Sequence, residues 1–233
     1  MSYNSEIREI MLKCVPNTII LSKELHRNEF SHIPELAFYK TLERMNSKHE
    51  ISRLSKGVYY VPKESKYGLL SPNQQEITSY FTGVNNKKGL SIGYSLYNKY
   101  GLTTQIGNSV ELYSSIIQEE RKSINSVRVY KLALKLNPAR VNLIEILEIL
   151  ENFTKIEDLN RANFVLYITS AIRHYEDKEA IEVLRGMKYK KSTIAFLVSI
   201  LKFNGIKNSL GNFLSATSLY KIPKIQDIYE SMS

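Results

Sequence analysis

Lys40, Arg44, Lys48, Arg53 and Lys56 stand close together, interleaved with Tyr39 and Glu43. Cations at this spacing suit the neutralisation of a row of phosphates. A tyrosine and a carboxylate among them could approach base edges, the glutamate as an acceptor. The chemistry implied is reversible binding of a polyanion. Bond-breaking chemistry finds less support. The only aspartates are Asp158, Asp177 and Asp227, all in the last third, and no paired-aspartate, phosphate-loop, nucleophile-elbow or zinc-protease motif occurs. Two-metal phosphoryl chemistry needs clustered carboxylates, which the basic half of the chain lacks. Glu119 and Glu120 beside Arg121 and Lys122 read as a charged hairpin turn. His26, His32 and His49 lack the spacing of a metal site, and Cys14 is the single cysteine. No catalytic residue, metal or cofactor is expected, so the chain reads as a non-enzyme.

The elements that would position the cations run from Pro34 to Pro62. Phe38, Leu42 and Met45 recur at i, i+4 and i+7, one face of a helix. Tyr39, Lys40, Glu43 and Arg44 fall on the other face, and Pro34 suits the first helical position. Ile51 and Leu54 lead to Gly57 and then to Val58, Tyr59, Tyr60 and Val61, a strand-like run ended by a proline. A helix followed by a small hairpin tipped by Ser55, Lys56 and Gly57 is the layout of a winged helix-turn-helix. Upstream, Ser5–Val15 is expected as a helix ended by Pro16. Ile19–Leu21 reads as a strand fragment, and Ser22 as the cap of a short supporting helix over Lys23–Arg27. On this layout Arg53 and Lys56 would meet the DNA backbone or minor groove, and Lys48 would add charge beside the helix.

The charge is unevenly spread. The chain has 32 Lys+Arg against 23 Asp+Glu, a formal +9. Residues 1–39 carry Arg8, Lys13, Lys23 and Arg27 against Glu6, Glu9, Glu24, Glu29 and Glu35, a net of −1. Residues 40–63 carry Lys40, Arg44, Lys48, Arg53, Lys56 and Lys63 against Glu43 and Glu50, a net of +4. Basic charge therefore gathers on the proposed reader helix and wing.

Three parts are expected: a winged helix-turn-helix over 1–63, a small α+β unit over 64–136 and a helical region over 137–233. The polar text from Lys63 to Leu70 reads as a linker, and Ser71 and Pro72 open a helix to about Phe81. Ser91–Tyr100 reads as a helix stopped by Gly101. Val110–Ser114 and Val127–Leu134 read as paired strands. Beyond Asn137 and Pro138, Val141–Phe153 is apolar over more than half its girth, a central buried helix. Leu159–Tyr175, Lys178–Arg185 and Ser192–Phe203 follow as further helices. The fold class is thus α+β.

Hydrophobic residues make up 43% of the chain, enough for real cores, and tyrosine, with 16 copies, replaces tryptophan altogether. The first apolar residues alternate with Glu6, Arg8 and Glu9, unlike a secretory leader. The apolar run Ile194–Ile200 is far below the ~20 residues of a membrane span. A cytoplasmic protein with no membrane partner is expected.

Two blocks carry a family likeness: Ser52–Gly68 (SRLSKGVYYVPKESKYG) and Gly93–Ser115 (GYSLYNKYGLTTQIGNSVELYSS). On these blocks the sequence resembles the AbiEi-like antitoxins of type IV toxin–antitoxin systems. The resemblance covers about residues 5–135. It implies an N-terminal domain that binds double-stranded DNA at its own promoter and represses its operon. It further implies a following region that counters a nucleotidyltransferase toxin without a stable complex. Tyr94, Tyr97, Asn98, Thr103, Thr104 and Gln105 then become candidates for an antitoxin or partner surface. Packing around Gly93 and Gly101, with the Thr-Thr-Gln segment satisfying backbone groups, is the other reading of those six. A palindromic operator would call for a homodimer on DNA, or for two copies bound side by side. The competing class is a protein-interaction module whose winged helix serves assembly without specific DNA binding.

Overall fold

Ser2 starts the first helix, its hydroxyl accepting from the Ser5 amide; α1 is Tyr3–Leu12. The structure, a computed structural model, describes residues 2–230. α1 stops short of the expected Val15, because a residue before proline is pushed out of the helical region and Asn17 (φ 64°) turns the chain. β1 (Ile20–Leu21) and α2 (Ser22–Glu29) follow directly. Ser22 does not cap α2 as expected. It lies inside the helix and its hydroxyl donates to the Gly57 carbonyl at 3.2 Å, while its amide donates to the same oxygen at 3.0 Å.

α3 (Glu35–Ser47) buries Phe38, Thr41, Leu42 and Met45, the expected stripe with one threonine added. Thr41 is accommodated because its hydroxyl donates to the Ala37 carbonyl one turn back. β2 (Ser52–Ser55) and β3 (Val58–Tyr60) form a hairpin whose two-residue turn is Lys56-Gly57. Gly57 has φ 75°, a conformation that favours glycine. The three strands form one antiparallel sheet in the order β1-β3-β2. Ile7, Met11, Phe30, Ile33, Phe38, Leu42, Met45 and Ile51 close a core beneath it, each at most 1% exposed. Each such side chain contributes roughly 1.5–3 kcal/mol by leaving water.

The stretch read as a linker is a second hairpin, β4 (Lys63–Ser65) with β5 (Gly68–Leu70). Its turn is closed by Ser65, which accepts from the Tyr67 amide and donates to the Gly68 carbonyl. Polar composition misled here, since a two-stranded arm can leave both faces in water; Tyr67 is 87% exposed. α4 (Gln74–Thr82) is opened by a reciprocal cap. The Glu76 amide donates to Asn73 Oδ1 and the Asn73 amide to Glu76 Oε2, so Asn73 holds the role expected of Ser71.

The chain folds as two compact units, one of the residues up to Tyr80 with Ser123–Val127, the other of Phe81–Lys122 with the residues from Arg128. Residues 64–80 thus fall with the N-terminal residues, and the larger part of the second sheet, all but Ser123, Ile124 and Val127, falls with the helices.

In the second unit the stretch Ser91–Tyr100, expected to be one helix, divides between the end of β6 (Gly89–Ile92) and α5 (Gly93–Lys99). Leu90 and Ile92 alternate inward along β6, and Gly93 (φ 60°) turns the chain into α5. Gly89 permits the close approach of β6 to β7 (Val110–Ser114): a Cβ there would lie 2.1 Å from the Tyr113 carbonyl oxygen. β8 (Arg121–Ile124) and β9 (Val127–Lys131) complete an antiparallel sheet ordered β6-β7-β9-β8. Arg121 and Lys122 therefore lie in a strand, not in a turn; the turn falls at Asn125 (φ 50°) and Ser126. β9 pairs with β7, as the alternation implied.

α6 (Pro138–Asn152), capped by Asn137, is the central helix of this unit. Around it lie α7 (Arg161–Ala171), α8 (Asp177–Gly186), α9 (Lys191–Phe203) and the short α10 (Ile225–Glu230), which packs on α7 and α9 through Ile228. The architecture is mixed α and β with small sheets. No described helix is long and apolar enough to cross a membrane.

Candidate functional site

The outward face of α3 carries Lys40, Glu43 and Arg44, all exposed, with Lys48 exposed at its C-terminal cap. The helix exposes them because its opposite face holds Phe38, Leu42 and Met45 in the core. Leu36, one turn before Lys40, is also 70% exposed, an apolar residue on the same face that the periodicity did not flag. Tyr39 is half-buried, its ring edge-on to Phe38 at 5.4 Å. Arg53 and Lys56 are exposed on the hairpin, and Arg53 Nε donates to the Ser55 carbonyl at 3.3 Å. Tyr59 lies nearby on β3. Burial raises its phenol pKa, the Arg53 charge opposes this, and Glu43 and Tyr39 add to the rise.

Ion pairing distinguishes the α3 cations from three of the four cations before them. Arg8 pairs with Glu50 at 2.6 Å, Lys13 with Glu9 at 2.7 Å and Arg27 with Glu24 at 4.0 Å. Among the described residues, Lys40, Arg44 and Lys48 have no carboxylate within ion-pair distance. His26 and His32 are engaged elsewhere: His26 Nε2 meets the Ile33 carbonyl and His32 meets Glu6. Cys14 is half-buried, with its thiol on the Ile10 carbonyl and its pKa raised by burial. No group of three or more His, Cys, Asp or Glu among the described residues is placed to hold a metal.

The second candidate set does not form one surface. Thr103 is buried and its hydroxyl donates to the Glu157 carbonyl at 2.6 Å while accepting from the Gln105 amide. Gln105 Nε2 donates to Asp158 Oδ2 at 2.6 Å. Tyr97 is buried, and Tyr94 stands edge-on to it at 5.6 Å. Asn98 and Thr104 alone of the six are exposed. Gly101 (φ 62°) ends α5, and its carbonyl accepts from Asn163 Nδ2. Packing and backbone satisfaction thus account for Thr103, Gln105 and Gly101.

Tyr94 and Tyr97 instead line a cleft of about 200 Å³ together with Glu111, Glu148, Asn152 and Lys155. Glu148 is 7% exposed, and burial, opposed by the Tyr113 hydrogen bond and the nearby Tyr189 hydroxyl, pushes its pKa up to about 7. Sequence reasoning missed this carboxylate. The available signal was Glu145 and Glu148, three residues apart in an otherwise apolar run.

A family model described as a family of unknown function (DUF6088) matches residues 17–131. No curated protein matches the chain. Among solved structures, the chain is similar to the RV2827C protein from Mycobacterium tuberculosis. That match has 12% identity and a TM-score of 0.43, covering 94% of this chain and 82% of that one.

Proposed function

We propose that residues 1–63 form a winged helix-turn-helix that binds double-stranded DNA, with α3 as the reader and the Lys56-Gly57 hairpin as the wing. The observation that carries this reading is the set of exposed, carboxylate-free cations on α3, beside a basic hairpin. A solvated cation with no internal partner gives up little when it meets a phosphate, whereas Arg8 would first have to leave Glu50. Lys40, Arg44, Lys48, Arg53 and Lys56 would contact phosphates. Tyr39 and Glu43 would lie nearest the bases, with Leu36 offering an apolar contact in the first turn.

The likeness to AbiEi-like antitoxins extends this proposal. The chain would repress its own operon and, by binding rather than catalysis, counter a nucleotidyltransferase toxin without a stable complex. The test is binding to the DNA upstream of its own gene, against scrambled DNA of equal length, over a salt series. Tighter binding to the upstream fragment that persists at ~200 mM salt supports a specific regulator. Equal, salt-sensitive binding to both fragments reduces the reading to a basic patch. The antitoxin part is tested separately, by growth rescue when the chain is co-expressed with a neighbouring nucleotidyltransferase.

Exposed Tyr67, Leu69 and Leu70 on the second hairpin favour the other reading, a protein-interaction module. Charge reversal at Lys40, Arg44 and Lys56 separates the two. It should abolish DNA binding and leave a protein interface on the hairpin intact.

A further inference from the structure

Three carboxylates on and around α6 are answered by cations, and a fourth, Glu148, is not. Glu145 accepts from Lys99 Nζ at 2.6 Å and from the Tyr100 hydroxyl at 2.5 Å. Glu151 meets Lys190 and the Thr193 hydroxyl. Glu111 meets Arg128 at 3.5 Å and the Tyr130 hydroxyl at 3.1 Å. Glu148, more buried than Glu111 or Glu151, has no cation within ion-pair distance among the described residues. Its side-chain donor is the Tyr113 hydroxyl at 3.1 Å, with the Tyr189 hydroxyl nearby. A buried carboxylate without a counter-charge is costly to keep ionised. This one lines a cleft that opens to solvent.

The geometry points to a small-molecule site in this cleft for an organic cation, an ammonium or guanidinium group, with Glu148 as its counter-ion. Three features fit such a ligand. Tyr94 and Tyr97, inclined at 67°, form an aromatic corner, and a ring face attracts a cation. Asn152 supplies an amide at the same wall. The cleft, about 200 Å³, has room for a small molecule. Lys155 also lines the cleft and would repel a second positive charge, so the class narrows to molecules with one cationic end and a neutral or anionic tail. The site lies wholly in the second unit and does not depend on the DNA-binding proposal.

The groups facing Glu148 set its response to pH. Glu111 and Glu151 repel its charge, Tyr113 donates to it, and the Tyr189 hydroxyl lies close enough to favour the ionised form. Tyr97 is near enough to feel its charge, and Lys155 shares the cleft. With half-ionisation near pH 7, a cation that needs the ionised form should bind about tenfold more weakly at pH 6 than at pH 8.

The probes are 4-guanidinobutyrate and 4-aminobutyrate, with butyrate as the cation-free control, titrated calorimetrically into the full chain. The expected result is saturable binding of one or both cationic probes, weaker by about tenfold at pH 6, and none of butyrate. Glu148→Gln should abolish it. Tyr94→Ala, a second variant at the cleft wall, should weaken it by roughly three- to thirtyfold. No saturation by about 10 mM probe, equal affinity at both pH values, or butyrate binding as well as its cationic analogues would overturn the assignment.

Discussion

Replacing Glu148 by glutamine should make the protein progressively more stable than the parent as pH rises from 5 to 8. In the folded chain the carboxyl titrates near pH 7, against an ordinary value of 4.5. Below about pH 4.5 both folded and unfolded states hold the proton and the group contributes nothing. Between that point and pH 7 only the folded state holds it, so stability falls with rising pH. Above pH 7 the loss is complete. A displacement of about 2.5 units at 1.36 kcal/mol each amounts to about 3 kcal/mol. Glutamine keeps the shape and can still accept from Tyr113, but it carries no charge to desolvate. Glu151, Glu179 and Asp177, whose pKa values are lowered, impose the opposite pH trend. The part set by Glu179 and Asp177 is common to both proteins and cancels in their difference, while Glu151, relieved of its repulsion with Glu148, shifts the difference in the same direction as the expected gain. Urea unfolding of both, followed by circular dichroism in ligand-free buffer, supplies the comparison. A difference that grows by about 3 kcal/mol toward alkaline pH is expected; one that stays flat between pH 5 and 8 would refute the reasoning.

Three further outcomes follow from named contacts. Lys40→Ala and Arg44→Ala should each lower the slope of log affinity against log salt by about one, measured on upstream and scrambled DNA alike; an unchanged slope means that the side chain touches no phosphate. Asn73→Ala removes half of the reciprocal cap of α4 and should cost about 1 kcal/mol in urea unfolding, with Asn73→Ser recovering most of it. Gly89→Ala forces a methyl against the Tyr113 carbonyl and should cost about 2 kcal/mol or more; a neutral outcome would mean that β6 and β7 can separate freely.

The parts of the fold legible in the sequence were those held by local periodicity. Phe38, Leu42 and Met45 face the core because a helix brings every third or fourth residue to one side, whatever it packs on. The hairpin at Gly57 and the burial of α6 follow from equally local signals. Where a strand and a helix abut without a polar break, as at Ile92 and Gly93, the joined text imitates one helix. There the deciding facts are the backbone at Gly93 and the approach of Tyr113, some twenty residues away. The polar text of the second hairpin hid its strands because neither face is buried. Thr103 and Gln105 looked like surface residues because their partners, Glu157 and Asp158, lie more than fifty residues downstream. Glu148 was hidden for a related reason: its environment is assembled from β7, α5 and Tyr189, none of them its neighbours in sequence.

The membership of Ser123–Val127 in the N-terminal unit has a consequence in time. A ribosome making about 5–20 residues per second needs a few seconds to travel from Tyr80 to Val127. Throughout that interval the N-terminal unit lacks five of its own residues, among them the buried Ile124 and Val127 and the Ser126 that accepts from Gln74. The nascent chain therefore cannot complete its first unit before much of the second sheet has been made. A truncation at residue 80 would strand the unit in that same unfinished state.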